Sequence, residues 1–245
     1  MKPAKLASVD KPLLISVIVL VVAGLFIFSS AALGLLARDG ASYLTVTMSR
    51  TFFGLFLGTI LALITSKINY RMWRGWAFYI FIVAIVATAA VFIPQIGIEH
   101  GGARRWIDLG FFSFQTSEIL KIAYIIYLAA WISSVRQKIT TWKYGILPFA
   151  AISIITGLVL LSQPDTDTFL ILIATGLAML LTGGGSWKHI LLILLIGLIG
   201  FGGLVYTRPY LRERVVTFIN PSKDSLGSSY QIQQSFIAIG SGQMF

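Results

Sequence analysis

The chain has 245 residues, of which 57% are hydrophobic and 11% charged, and it carries a formal net charge of +10. So much apolar surface does not fit into one water-soluble core behind a polar exterior, so an ordinary soluble domain is excluded and a bilayer is the expected surrounding. The charge does not argue for nucleic acid, because the Lys and Arg lie between apolar runs, where they set topology and meet lipid phosphates. With no Cys, and with His100 and His189 far apart, disulfides, thiolate metal sites and zinc spacing are excluded as well.

Three lysines, Lys2, Lys5 and Lys11, precede the first apolar run, Leu13 to Leu36. It is longer than a signal-peptide core and is followed by further spans, so it reads as an uncleaved first membrane helix. A polar turn around Arg38, Asp39 and Gly40 leads to a second span, roughly Met48 to Thr65, in which Gly54 and Gly58 stand at the spacing that lets helices approach closely. The third runs from Trp76 to Ile93, where Pro94 stops it. The fourth, Ser117 to Ser133, and the fifth, Tyr144 to Leu161, flank a loop carrying Arg136, Lys138 and Lys143. After the turn Gln163-Pro164-Asp165-Thr166-Asp167 comes a short sixth span, Thr168 to Leu181, and Gly183-Gly184-Gly185 ends it. Those glycines lack the GxxxxGK[ST] pattern of a phosphate loop. A seventh span, Ile190 to Tyr206, delivers the chain to a polar, cation-rich segment, 208–245. The expected fold class is therefore all-α: a polytopic integral membrane protein with seven transmembrane helices, one membrane domain over 1–245, and a long extracytoplasmic loop at its C-terminal end.

Lys2, Lys5, Lys11, Lys67, Arg71, Arg74, Arg136, Lys138, Lys143 and Lys188 fall on the side of the N-terminus. The other side holds Arg38, Arg104, Arg105, Arg208, Arg212, Arg214 and Lys223. The positive-inside trend then places the N-terminus in the cytoplasm and both long loops outside. Six outward cations in two loops run against that trend, which makes sense where those loops hold an anion such as a lipid-linked phosphate.

Arg104 and Arg105, with Trp106, suit a phosphate and a sugar face, and equally suit an anchor among lipid headgroups. Glu118 and Lys121, three apart, share one helical face and can pair within the membrane, either to fix packing or to orient a site group. Asp165 and Asp167 at the start of the sixth span read first as helix caps. An Asp-x-Asp cation site for Mg or Mn stays open there, without a third ligand. Asp224 lies in the turn-rich stretch Asn220 to Gly227, where a carboxylate commonly bonds its own backbone. Its setting favours chemistry: Arg208, Arg212, Arg214 and Lys223 are close in sequence, and a polar strip of Tyr230, Gln231, Gln233, Gln234 and Ser235 follows. Glu213, between Arg212 and Arg214, reads as an ion-pair member.

GARRWIDLG, FQTSEILK, QPDTDT and NPSKDSLGSSYQIQQSFIAIGSG closely resemble four motifs of the SEDS proteins, the shape, elongation, division and sporulation glycosyltransferases. They occur in that family's order and between the expected helices. Tyr230-Gln231, in place of a Tyr-His pair, leans toward the FtsW-like division and sporulation branch over RodA. The resemblance implies polymerisation of lipid II into glycan strands at the outer face of the bacterial cytoplasmic membrane. It implies a class B penicillin-binding transpeptidase as partner, within the divisome or elongasome, and ten transmembrane helices, about three more than this chain supplies. Thr116, Asp167, Ser225 and Ser229 stand where the family usually has Pro, Gly, Pro and Gly.

Asp224 aligns with the motif's acidic position and is the expected catalytic base. A pyrophosphate departs without a proton from the enzyme, so one carboxylate suffices to deprotonate the acceptor hydroxyl, and a single displacement inverts the anomeric centre. Arg104, Arg105, Arg212 and Arg214 are the expected pyrophosphate ligands, with Trp106, Lys223, Tyr230, Gln231 and Gln234 as further substrate-binding candidates. Glu118, Lys121 and Asp165 are the expected supporting residues. No resident metal is called for. Two rival readings, a lipid II flippase and an inert scaffold for the transpeptidase, would not need a base at the outer face.

Overall fold

The computed structural model describes residues 10–39, 53–100, 103–108, 113–221, 227 and 229–241. Asp224 and Lys223 lie outside the described residues, as does the expected turn at Gly40. The chain divides into two units, Met1–Met72 and Trp73–Phe245.

In the first unit, α1 (Lys11–Asp39) and α2 (Phe53–Lys67) are apolar helices. Arg38 and Asp39, expected in a turn, belong to the last turn of α1. A Cβ at Gly54 or Gly58 would meet nothing within 4 Å, so the close packing expected of that pair is not seen among the described residues.

The chain enters the second unit through α3 (Tyr70–Ala89), extended by a tight turn, Ala90–Phe92. Four further apolar helices follow: α4 (Thr116–Ser134), α5 (Leu147–Ser162), α6 (Thr166–Thr182) and α7 (Trp187–Thr207). Hydroxyls on these helices return to their own backbone, as when Thr88 donates to the Ala84 carbonyl at 2.7 Å and Thr156 to Ile152 at 2.8 Å. Both threonines are buried in the bundle, where the preceding turn of their own helix supplies the acceptor.

Five helices among the described residues are long and apolar enough to cross a bilayer. They are α1, α3 with its extension, α4, α5 with the wide turn Trp142–Ile146 before it, and α7. The shorter α2 and α6 were also expected to span; among the described residues they run 15 and 17 residues, and α2 begins where the described residues resume.

The core of the second unit lies between α3, α4, α5 and α6. Leu120, Ala123, Tyr124 and Leu128 of α4 recur at helical spacing and meet Phe81 and Ala84 of α3, Phe149, Ile152 and Leu160 of α5, and Leu172, Leu177 and Leu180 of α6. Gly176 makes the α4–α6 approach: a Cβ there would stand 2.6 Å from the Tyr124 hydroxyl and 2.8 Å from the Phe149 ring.

Two expectations need correction. The fold is mostly helical and not all-α, because residues 97–115 contain a three-stranded antiparallel sheet in the order β1 (Gly97–His100), β2 (Ala103–Asp108), β3 (Ser113–Gln115). Gly97 opens it where only a residue without Cβ fits, since a Cβ would fall 1.9 Å from the Val91 carbonyl oxygen. The terminal segment, expected as a long loop, holds two helices, α8 (Pro209–Ile219) and α9 (Tyr230–Ser241). Their apolar residues are too interrupted by Arg, Glu and Gln to read as spans, yet they suffice for short amphipathic helices.

Candidate functional site

Arg104 and Arg105 stand at a break in strand pairing, where Ile98 faces Trp106 and Glu99 faces Arg104, which leaves Arg105 without a partner in β1. Their contacts send the two arginines to different places. Arg104 turns to its cross-strand partner Glu99, with Nε 3.2 Å from Oε2, in an exposed pair. Arg105 reaches the turn between α5 and α6. Its Nε donates to the Gln163 carbonyl at 3.2 Å, an Nη to the Pro164 carbonyl, and the other Nη stands 3.8 Å from Asp165 Oδ1. Trp106 lies opposite Ile98 and Gln115 and is partly exposed.

That turn is where the elements of this end of the bundle meet. The Gln163 amide reaches the Thr88 carbonyl at the end of α3, and the Thr166 hydroxyl lies 2.7 Å from the Tyr210 hydroxyl on α8. Asp167 receives both contacts of one Arg214 nitrogen, at 2.7 and 2.6 Å. Side chains from β2 and α8 therefore converge on five consecutive residues, 163–167. Gln163 and Asp165 are almost completely buried.

The capping expected of Asp165 is not observed: it is the N-cap residue of α6 but makes no side-chain cap bond, because its carboxylate is turned toward Arg105. Among the described residues its Oδ2 has no hydrogen-bond partner. Asp167 does sit in the first turn of α6, where a negative charge suits the helix dipole, but its partner is Arg214. Glu213 pairs with neither neighbouring arginine among the described residues; Arg214 is drawn across to Asp167 instead. No group of three or more potential metal ligands occurs among the described residues.

Glu118 and Lys121 form their pair, Nζ to Oε1 2.8 Å, in the first turn of α4. Beside it Gln115 donates to the Ser117 hydroxyl at 3.0 Å. Arg212 is exposed on α8 and has no ion pair among the described residues. Tyr230 and Gln234 are exposed on α9, and of Gln231 only the backbone is described. Gln233, which sequence reasoning left unassigned, donates to the Pro221 carbonyl at 3.0 Å. This ties α9 to Pro221, two residues past the end of α8. The roles of Gln163, Thr166, Tyr210 and Gln233 carried no sequence signal, since each depends on a partner supplied by another element.

Relatives of this chain bear on what such a frame serves. It is 33% identical over 242 residues to Stage V sporulation protein E of Bacillus subtilis, covering 98% of this chain and 66% of that protein. It is 35% identical over 250 residues to a "Probable peptidoglycan glycosyltransferase FtsW" of Trichlorobacter lovleyi, covering 100% of this chain and 64% of that protein. The chain thus spans about two thirds of the length of these curated relatives. Among solved structures it resembles a chain from "Structural coordination of polymerization and crosslinking by a peptidoglycan synthase complex", with TM-score 0.70 and 27% identity over 92% of this chain and 65% of that one. It also resembles the rod shape determining protein RodA of Thermus thermophilus, with TM-score 0.58 and 26% identity over 73% of this chain and 56% of that one. A family model described as "Cell cycle protein" and named for FtsW, RodA and SpoVE matches residues 11–245, nearly the whole chain, and the chain belongs to that family.

Proposed function

We propose that this protein is a peptidoglycan glycosyltransferase that polymerises lipid II into glycan strands at the outer face of the cytoplasmic membrane, with inversion at the donor's anomeric carbon. The observation that carries the reading is the match to the FtsW, RodA and SpoVE family over residues 11–245, joined by relatives named as peptidoglycan glycosyltransferases. In this proposal all seven apolar helices cross the membrane, the N-terminus is cytoplasmic, and a class B penicillin-binding transpeptidase is the partner.

Asp224 acts as the general base that takes the proton from the acceptor hydroxyl as its oxygen attacks the donor. The family resemblance supports this role, because Asp224 aligns with the acidic position of the motif NPSKDSLGSSYQIQQSFIAIGSG. Of the four arginines assigned to pyrophosphate, Arg212 has the best claim, being exposed and without an ion pair among the described residues. Arg104 and Arg214 would first have to leave Glu99 and Asp167, and Arg105 would leave Asp165 uncompensated. Lys223, Tyr230, Gln231, Gln234 and Trp106 complete the proposed substrate surface, and Glu118 with Lys121 supports it.

The test is glycan synthesis from purified lipid II by the full-length protein with its transpeptidase. Asp224→Asn keeps size and removes most basicity, and polymerisation should drop about 100-fold or more, the scale of general-base contributions. Near-normal glycan from this variant would falsify the assignment. Lost polymerisation by wild-type protein with intact lipid II transport would favour the flippase reading.

A further inference from the structure

Between them α5, α6 and α7 leave a groove of about 430 Å³, lined by Ser153, Ile154, Gly157, Leu158, Leu161, Ser162, Phe169, Leu204 and Arg208. Its walls are hydrocarbon apart from two serines, and the Ser162 hydroxyl is already donated to the Leu158 carbonyl at 2.6 Å. The one charged group is Arg208, at the end where α5 stops, α6 starts and α7 gives way to α8. Its side chain is exposed and has no ion pair among the described residues.

From the shape and charge of this groove we propose that it holds one acyl chain of an anionic bilayer phospholipid, whose phosphate is bound by Arg208. Dimensions select the occupant. From Ser153 to Ser162 the groove follows nine helical steps of α5, about 14 Å, which is close to half of a hydrocarbon core about 30 Å thick and so to the depth of one leaflet. A volume of about 430 Å³ over that length leaves a mean cross-section of about 30 Å², the girth of a single hydrocarbon chain. A long polyprenyl tail would run well past the groove's end. A guanidinium at the polar end matches a phosphate in fork geometry, and a lipid-facing site poor in water makes that bond strong. This lipid site does not depend on the catalytic reading, since none of its lining residues belongs to the proposed active site.

The experiment is native mass spectrometry of the full-length protein, delipidated in detergent and titrated with phosphatidylglycerol, phosphatidylcholine or a polyprenyl phosphate. Wild-type protein should retain one phosphatidylglycerol in preference to phosphatidylcholine. Arg208→Gln should weaken that retention about tenfold, the scale of one charge-assisted hydrogen bond, and Arg208→Lys should restore part of it. Leu158→Trp, at a position 68% exposed where a larger ring disturbs no core, should block the groove and reduce retention of both phospholipids. Equal retention of the two phospholipids, or no effect of Arg208→Gln, would overturn the proposal. Arg208-dependent retention of polyprenyl phosphate over phosphatidylglycerol would overturn it too, marking the groove as a site for a different lipid.

Discussion

Replacing Arg105 with Ala separates a structural arginine from a substrate ligand. Asp165 is 3% exposed and Arg105 24%, so the substitution strands a buried carboxylate and two backbone carbonyls at once. Breaking a buried pair by removing one partner costs about 3–5 kcal/mol, and a hydrogen bond from a charged donor contributes about 1.5–3 kcal/mol. The 3.8 Å separation from Asp165 and the partial exposure of Arg105 place the total near the lower end, about 3 kcal/mol. Unfolding in mixed micelles by SDS titration, followed by far-UV circular dichroism, measures it. In an Asp165→Asn background the stranded charge is gone, and Arg105→Ala should cost measurably less than in wild type, because only the carbonyl contacts are lost. A loss below about 0.5 kcal/mol in wild type, or the same loss in both backgrounds, would refute the reasoning. If stability held while lipid II affinity fell, Arg105 would be a substrate ligand.

The Asp167–Arg214 pair provides a contrast: with side chains 60% and 56% exposed, it should contribute about 0.2–1 kcal/mol in a double-mutant cycle and fade as salt is raised. A coupling that is large and insensitive to salt would contradict that reading. For topology, single cysteines introduced into this cysteine-free chain at 104, 224, 74, 143 and 188 are labelled with an impermeant maleimide in intact cells. Positions 104 and 224 should react and the other three should be protected; protection at 224 would overturn the proposed orientation.

How much of this was legible beforehand depends on the range of the forces involved. The long membrane helices follow from runs of apolar residues, because the gain from placing a segment in hydrocarbon depends mostly on that segment's own length and composition. Glu118 and Lys121 meet for an equally local reason, their i,i+3 placement on one helix. The motifs of the SEDS family were likewise readable residue by residue, and they pointed to the family that the chain belongs to.

Ion-pair partners were not legible in the same way. Asp165 and Asp167 read as caps, the usual local use of a carboxylate before a helix, but the fold carries Arg105 and Arg214 to within reach of them. These arginines are 60 and 47 residues away in sequence, and no spacing rule connects them. Arg104 and Arg105 read together as suited to a phosphate, but the fold gives them separate partners, Glu99 and the turn at Gln163 to Asp165, and a strand only six residues long, in a mostly helical chain, leaves little periodic signal. Helices α8 and α9 were hidden by their Arg, Glu and Gln. A short amphipathic helix is stabilised largely by the surface it packs against, and here the contacts of Tyr210, Arg214 and Gln233 that hold it come only with the assembled bundle.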